Sequence, residues 1–142
     1  MSTPSRVYLA GPMTGIPKFN FPAFEAATAK LRGKGLDVVS PHELDEPEIR
    51  LAAAQSETGK LVDGKIAGHS WGDILARDVK VVADNVGGIV FLDGWARSRG
   101  AKLEAVVGLL CNHRFYRLGP DEKDDLVEMT RESVRRIVSN NL

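Results

Sequence analysis

The sequence predicts a single α/β domain, and three observations support that prediction. Residues 7–10 and 88–92 are short, continuous apolar runs bounded by glycine, proline or polar residues, which is typical of strands buried on both faces. Longer segments between them carry apolar residues at helical spacing. Strand and helix therefore alternate along the chain, and this alternation favours a mostly parallel sheet with helices on both faces.

The first half of the chain contains two strands and one clear helix. The strand over residues 7–10 stops at a Gly-Pro turn. Asn20 then caps a helix with proline in its first turn, which ends at a Gly-x-Gly sequence beginning at Gly33. A short second strand includes residues 38–39. Residues 44–70 mix proline, glycine, charge and alanine, so we expect a partly helical excursion over the surface.

The second half continues the alternation. A helix over residues 71–84 leads into the buried run at 88–92, and another helix follows over about 98–110. Residues 114–117 are predicted to form an edge strand, and a last helix is predicted from residue 121 to about 139. The whole pattern predicts one Rossmann- or flavodoxin-like three-layer domain, with a mostly parallel sheet of about five strands, over the entire chain.

Composition narrows the class of ligand. The chain has 142 residues, 43% of them hydrophobic, which suits one domain with an ordinary core. Its 19 basic and 19 acidic side chains cancel, so no basic field is present to hold a nucleic acid polymer. A small molecule is therefore the expected ligand.

The cysteine, the histidines and the apolar runs exclude other classes. Cys111 is the single cysteine, so an intrachain disulfide is not possible, and its apolar surroundings predict a core position. His42, His69 and His113 show no metal-ligand spacing, and we expect no metal. No apolar run is long enough for a membrane span or a secretory signal, so we expect a cytoplasmic protein without a membrane partner.

In a parallel sheet, ligands bind beyond the carboxyl ends of the strands, which directs attention to two loops. The first follows residues 7–10 and contains Gly11, Pro12, Met13 and Thr14. Glycine lets backbone amides approach a ligand, and Thr14 adds a hydroxyl. The loop lacks the spacing of a dinucleotide fingerprint or of a P-loop, and a turn that merely needs glycine is the alternative interpretation.

The second loop leads from the buried run at 88–92 into a helix. This loop and the start of the helix contain the further candidates for ligand binding, which are Gly94, Trp95, Ser98, Gly100 and Ala101. A helix N-terminus presents free amides and the positive end of the helix dipole, so it favours an anion such as phosphate. Ser98, Arg97 and Arg99 add donors. In the alternative interpretation, Ser98 only caps the helix and the arginines are solvated.

Glu104 is the first candidate for chemistry. It lies beside the predicted apolar face of its helix, so its carboxylate borders the core; that face contains Leu103, Val106, Val107 and Leu110. Gly100 and Gly108 lie four residues before and after Glu104, and neither has a side chain to crowd the carboxylate. A partly buried carboxylate beside an anion-binding loop suits a nucleophile or a base, and an ordinary surface glutamate is the alternative.

Asp78 and Tyr8 are the other candidates. Asp78 lies four residues after Ile74 and four before Val82, inside the apolar stripe of its own helix, where an unpaired carboxylate is costly. An aspartate in such a position usually has a partner or a function. Tyr8, on the first buried strand, either packs in the core or directs its hydroxyl to the site at the end of the strand.

Together these motifs resemble the nucleoside 2-deoxyribosyltransferases and the related nucleoside-monophosphate N-glycosidases. The resemblance covers most of residues 6–112, and its most specific part is Ser98-x-Gly100-Ala101-x-x-Glu104. Three segments carry the resemblance, in the family's order. They are Val-Tyr-Leu-Ala-Gly-Pro at residues 7–12, the helix with Arg77-Asp78 running to Ala83-Asp84, and residues 94–101 followed by Glu104. The sequence around Gly94 and Trp95 is most similar to small, often phage-encoded members.

The resemblance implies a reaction and a role for each candidate. Glu104 corresponds to the nucleophile, which attacks the anomeric carbon and forms a covalent glycosyl-enzyme. Asp78 corresponds to the acid that helps the nucleobase leave, and Tyr8 to the tyrosine that orients the nucleophile. This division of labour is the one seen in retaining glycosidases. The resemblance further implies that no cofactor is needed and that the protein is a homodimer or higher homo-oligomer.

Position 98 separates two branches of the resembled family. Transferases that act on free nucleosides tend to carry an acid there, whereas monophosphate hydrolases carry serine. Ser98 therefore favours a nucleoside 5′-monophosphate substrate, because a carboxylate would repel the phosphate. Transfer to a second base stays open. The alternatives are a module that binds or senses a nucleotide without turnover and an unrelated flavodoxin-like role.

Overall fold

The computed structural model describes residues 4–119 and 126–142 and confirms the predicted α/β class. The strands are β1 (Arg6–Ala10), β2 (Asp37–Val39), β3 (Lys65–Ile66), β4 (His69–Ser70), β5 (Gly88–Phe91), β6 (Arg114–Leu118) and β7 (Leu126–Met129). The helices are α1 (Phe21–Gly33), α2 (Pro41–Leu44), α3 (Pro47–Gln55), α4 (Trp71–Asp84), α5 (Arg99–Leu110) and α6 (Arg131–Asn140).

The main sheet has five strands in the order β2-β1-β5-β6-β7, and β3 and β4 form a separate small hairpin. β1 is parallel to β2 and to β5, and β5 is parallel to β6, whereas β7 is antiparallel to β6. The strand order reverses between β2-β1 and β5-β6. Such a switch point opens a crevice at the carboxyl ends of the strands, and the loops after β1 and β5 border it.

Helices cover both faces of this sheet. Val7 and Leu9 of β1 pack with Phe24 of α1 in one core cluster. Tyr8 and Ala10 lie in a second cluster, which includes residues of α4, α5 and α6. Successive side chains of a strand point to opposite faces, so β1 contributes to both cores, which explains its uninterrupted apolar sequence.

The C-terminal region differs from its prediction. β6 is not an edge strand, because β7 pairs antiparallel with it. The helix predicted over residues 121–139 is wrong over Leu126–Met129 and confirmed over Arg131–Asn140, where the Thr130 side chain caps α6. Residues 121–125 lie outside the described residues. The free edge of β6 accommodates β7, and the spacing of apolar residues does not reveal such a tertiary pairing.

The buried face of α5 also differs from the predicted one. It consists of small residues and one carboxyl, namely Ala101, Glu104, Ala105 and Gly108. Leu103 and Leu110 are exposed, so the predicted apolar face is wrong at these positions. Cys111 is exposed as well, which corrects its predicted core position.

The orientation of α5 follows from a close approach to the sheet at Gly108. A Cβ atom on Gly108 would lie 2.8 Å from Ile89 Cδ1 and 3.0 Å from Phe115 Cε1, so no larger residue fits without movement. Dense packing of the helix backbone on the sheet therefore outweighs the exposure of two leucines.

Gly108→Ala is expected to lower the free energy of unfolding by about 1–3 kcal/mol, because the added methyl group overpacks the contact between α5 and the sheet. Gly33→Ala is the matched control: nothing lies within 4 Å of a Cβ atom at this helical glycine, so alanine is expected to be neutral or slightly stabilising. Urea unfolding measures both variants. Equal stability of the two would contradict the close packing.

The segment over residues 44–70 is partly helical as predicted, but it is not only a surface excursion. Ala53 of α3 forms a small core cluster with Phe19 and Phe21, and Leu61 and Ile66 pack against that cluster. The segment therefore builds a wall beside the carboxyl end of β1.

Backbone contacts fix this wall to the loop after β1. The Gly15 N–H donates to the Gly59 carbonyl over 2.7 Å, and the Lys18 N–H donates to the Ser56 carbonyl over 2.7 Å. Gly59 has a φ of 68°, and a Cβ atom there would lie 1.8 Å from the Ile16 carbonyl oxygen. Only glycine fits this crossing of two backbones.

Candidate active site

A cavity of about 240 Å³ lies at the carboxyl ends of the strands. Its wall includes residues of β1 and the following loop, the segment over residues 41–66, α4 and the start of α5. The predicted site residues that line it are Tyr8, Gly11, Pro12, Met13, Thr14, Asp78, Ser98, Gly100, Ala101 and Glu104. The fold thus brings together candidates from three separate parts of the sequence.

Tyr8 and Glu104 are in direct contact at this cavity. The Tyr8 hydroxyl donates a hydrogen bond of 2.6 Å to Oε2 of Glu104. Tyr8 is fully buried, and Glu104 is only 5% exposed. A hydrogen bond this short from a hydroxyl to a carboxyl oxygen is strong and directional, so Tyr8 holds the carboxyl in one orientation.

The surroundings of Glu104 favour its protonated form. Burial raises the pKa of the Glu104 carboxyl well above its usual range, and the charge of Asp78 raises it further. The Tyr8 hydrogen bond and Arg77 act in the opposite direction. Burial also raises the pKa of the Tyr8 hydroxyl, which therefore remains a hydrogen-bond donor at neutral pH.

The two glycines around Glu104 have different roles. Gly100 lines the cavity, and a Cβ atom there would make only an ordinary 3.8 Å contact with Leu75. Gly108 instead faces the sheet. Gly100 alone therefore fits the prediction of free space beside the carboxyl, and Gly108 serves close packing.

Asp78 is buried on α4, as its place in the apolar stripe predicts, and it has a partner. Arg77 Nε and Nη2 both donate to Asp78 Oδ1, over 3.0 Å and 2.7 Å. Burial raises the pKa of Asp78 to about 6, although Arg77 acts against this rise. Asp78 is therefore able to bind or release a proton close to neutral pH, as a general acid must.

Arg77 also binds Asp45, which follows α2. Arg77 Nη1 donates to Asp45 Oδ1 over 2.6 Å, and Nη2 donates to the Pro41 carbonyl over 3.3 Å. The Asp45 side chain is 6% exposed, and burial raises its pKa. Asp45 and Arg77 both line the cavity.

The range matched by a known family includes this whole cluster. Residues 5–114 match the family described as a domain of unknown function, DUF4406. The chain belongs to the DUF4406 family. A search of curated proteins finds no match.

In this DUF4406 chain, the loop after β1 lies tightly against the neighbouring strand end. A Cβ atom on Gly11 would lie 2.8 Å from Leu92 Cβ, so glycine is needed for the close approach. The Asn20 side-chain amide donates to the Pro12 carbonyl over 2.9 Å. Asn20 precedes α1 as predicted, but its side chain makes no capping hydrogen bond, so its role is to hold this loop.

Ser98 caps α5 and lines the cavity at the same time. Its Oγ accepts a hydrogen bond of 3.2 Å from the Ala101 N–H, as an N-cap does. Arg97 and Arg99 also line the cavity, and the Arg99 guanidinium lies over the Trp71 ring, 4.6 Å from its centroid. Ser98 therefore caps the helix, as the alternative interpretation predicts, and it also lines the cavity.

Gly94 and Trp95 do not line the cavity. Trp95 is buried, and its ring stacks on Phe91 with 3.9 Å between the centroids. Gly94 has a φ of 83°, which lets the chain turn after β5. Their positions do not support the predicted ligand contacts; the two residues instead shape the loop that carries Ser98.

Sequence reasoning missed Asp45 and most of the apolar wall. The apolar residues of that wall include Phe19, Phe21, Ile49, Leu61, Trp71 and Ile74. Asp45 pairs with Arg77 across 32 positions of sequence, which no local pattern reveals. The Arg77-Asp78 dipeptide was the available signal, because it places a cation beside an inward-facing acid.

Residues 4–119 and 126–142, which the structure describes, contain no group of three or more His, Cys, Asp or Glu side chains arranged to hold a metal ion. Nor do these ranges contain a helix with the length and apolarity needed to cross a membrane.

Proposed function

We propose that this protein cleaves or exchanges the N-glycosidic bond of a nucleoside or nucleoside 5′-monophosphate. The observation that carries the proposal is the hydrogen bond from Tyr8 to Glu104 in a cavity that also contains the buried carboxyl of Asp78. A retaining glycosidic reaction needs two carboxyls, an oriented one as nucleophile and a second one that titrates near neutral pH as acid.

In the proposed reaction, an oxygen of the Glu104 carboxylate attacks C1′ of the sugar. The bond from C1′ to the base nitrogen breaks, its electron pair goes to the base, and a ring nitrogen takes the proton of Asp78. Water or a second base then attacks C1′ and releases Glu104, while Asp78 recovers a proton from the attacking group. The products are a free base and, depending on the substrate, the sugar or its 5′-phosphate after hydrolysis, or a new nucleoside or nucleotide after transfer.

The pair of carboxyls must hold one proton at the start of this cycle. Burial raises the pKa of both Asp78 and Glu104, and both groups face the same cavity. Two coupled carboxyls in one site titrate in two steps, and the form with one proton supplies both a carboxylate and an acid. In the reactive arrangement Asp78 carries that proton and Glu104 is ionised, with the Tyr8 hydrogen bond and Arg77 favouring the Glu104 carboxylate. This form is the proposed active state.

The rest of the cavity suits a nucleotide. Trp71, Phe19 and Phe21 give it an apolar aromatic wall, which favours a planar base. Arg97, Arg99 and the N-terminus of α5 lie on the wall near Ser98 and favour an anion, which supports a 5′-phosphate on the substrate.

Ser98→Asp is expected to distinguish monophosphates from free nucleosides. Aspartate also caps helices, so the variant should fold. Its carboxylate repels a phosphate, but one of its oxygens can accept a hydrogen bond from a free 5′-hydroxyl. We expect kcat/KM to fall about tenfold or more on monophosphates and to fall less, or rise, on nucleosides. Ser98→Asn caps without the charge and is the control. Equal losses on both substrate classes in Ser98→Asp would contradict the phosphate assignment.

A substrate panel tests the proposal itself. The protein is incubated with nucleosides and with their 5′-monophosphates, with and without a second free base, and base release is followed by chromatography. We expect release of a base from at least one 5′-monophosphate. Binding without release from any member of the panel would support the alternative, a module that senses nucleotides.

We also propose that the protein forms a homodimer or higher oligomer in the cytoplasm. Leu103 and Leu110 are exposed and lie seven residues apart on α5, so one face of this helix offers apolar surface to a second copy. Cys111 is an exposed free thiol, which suits a reducing compartment.

A further inference from the structure

We infer that Asp45 is a positioning residue that, by sharing Arg77 with Asp78, keeps a proton on the pair formed by Asp78 and Glu104. The inference rests on the proposed function, because this proton is the one that the departing base would take. Neither the sequence nor the family match assigns Asp45 a role.

The geometry divides one guanidinium between two carboxyls. Arg77 directs Nη1 to Asp45 at 2.6 Å, and directs Nε and Nη2 to a single oxygen of Asp78 at 3.0 Å and 2.7 Å. The side chains of Asp45 and Asp78 are 6% and 10% exposed, so solvent screens neither contact well. The single positive charge of Arg77 is therefore shared between the two carboxyls, and only part of it stabilises an ionised Asp78.

One arginine cannot compensate the charges of the three acids in this cavity. Asp45, Asp78 and Glu104 line one cavity together with Arg77, so full ionisation of the three acids would leave two negative charges uncompensated by this arginine. Uncompensated carboxylates are expensive in a poorly solvated site, and the usual response is to bind a proton. Burial raises the pKa of all three acids, to about 6 for Asp78 and well above its usual range for Glu104, so the proton is assigned to these two.

The other groups facing Asp78 do not change this balance. The charge of Asp45 favours a proton on Asp78, and a hydrogen bond from Tyr8 of β1 opposes it. The charge of Asp78 in turn favours a proton on Glu104 of α5. His42 on α2 acts on Asp45, but burial lowers the pKa of His42, so it is neutral at neutral pH. Arg50 also acts on Asp45, but Arg77 is the cation that acts on both Asp45 and Asp78, so its contacts link the two carboxyls.

Asp45→Asn tests the inference with little change in shape. The amide oxygen still accepts the hydrogen bond from Arg77 Nη1, but the charge is gone, and Arg77 then compensates Asp78 alone. The pKa of Asp78 should fall, and an acid with a lower pKa loses its proton at lower pH. We expect both limbs of the pH profile of kcat to move to lower pH by about one unit, so activity on the alkaline side falls about tenfold while activity below the optimum is kept or increased.

Three further variants separate the effect of the Asp45 charge from that of its structure. Asp45→Glu restores the negative charge and should return the profile toward that of the wild type. Asp84→Asn removes an exposed carboxylate that pairs with Lys80 on the same helix, and should leave the profile unmoved. If Asp45→Asn does not fold, as judged by circular dichroism, Asp45→Ser removes the same charge with a smaller side chain.

A spectroscopic titration separates this inference from the proposed function. Infrared difference spectra of the protonated carboxyl band, recorded against pH for wild type and Asp45→Asn and assigned with Asp78→Asn, report the proton without any substrate. A titration of Asp78 that moves to lower pH in Asp45→Asn supports the inference. An unchanged titration, or a loss of kcat that is equal at every pH, would overturn it. Absence of base release from wild type would defeat the proposed function and leave the titration to decide the role of Asp45.

Discussion

Glu104→Gln is expected to abolish base release, with a loss of at least about 1,000-fold in kcat, because glutamine has nearly the same shape but cannot form the glycosyl ester. The fold should survive. The amide oxygen of glutamine still accepts the hydrogen bond from Tyr8, and substrate binding, measured by calorimetry, should change little. The effect should therefore fall on kcat and not on affinity.

The same substitution is expected to stabilise the protein at alkaline pH. Because burial raises the pKa of Glu104, the folded protein binds this proton more tightly than the unfolded chain, and stability falls as pH rises toward the folded pKa. Glutamine removes this penalty, so Tm at about pH 8 should equal or exceed that of the wild type. Glu132→Gln, on the exposed surface of α6, is the control and should retain activity. Substantial turnover by Glu104→Gln would exclude Glu104 as the nucleophile.

Asp78→Asn is expected to lower kcat by about 100- to 10,000-fold on natural substrates, because an amide cannot supply the proton that a departing base needs. The loss should depend on the leaving group. On a 4-nitrophenyl glycoside, whose leaving group departs without protonation, Asp78→Asn should regain activity to within about tenfold of the wild type, whereas Glu104→Gln should stay inactive.

Asp84→Asn, at the end of the same helix, is the matched control and should behave as wild type on both substrates. Rates on the two leaving groups give the answer directly. If Asp78→Asn lost activity equally on both, Asp78 would serve binding or structure, and the role of proton donor would have to pass to another group.

Local sequence patterns predicted the parts of the site that local structure determines. The apolar run of β1 predicted a buried strand, and the position of Asp78 between Ile74 and Val82 predicted an inward acid on a helix that does span Trp71–Asp84. These inferences depended on residues close in sequence, where the periodicities of strand and helix apply.

The parts that failed depend on contacts between distant residues. The apolar face of α5 was predicted from its large residues, but the fit of Gly108 against Ile89 and Phe115 decides which face is buried. β7 forms because the edge of β6 is free to pair. The pairing of Asp45 with Arg77 appears only when α2 and α4 meet. The spacing of apolar residues within one segment does not predict shape complementarity or tertiary pairing.

The covalent intermediate is the most direct test of the proposed reaction. The wild-type protein is mixed with a substrate from the panel whose base is released, denatured with acid within one turnover, and examined by intact-protein mass spectrometry and peptide mapping. The proposal predicts a mass increase equal to one glycosyl group, with its phosphate if a monophosphate is used, carried by the peptide that contains Glu104 and absent in Glu104→Gln. Base release with no adduct at any quench time, or an adduct on another residue, would contradict a covalent mechanism through Glu104.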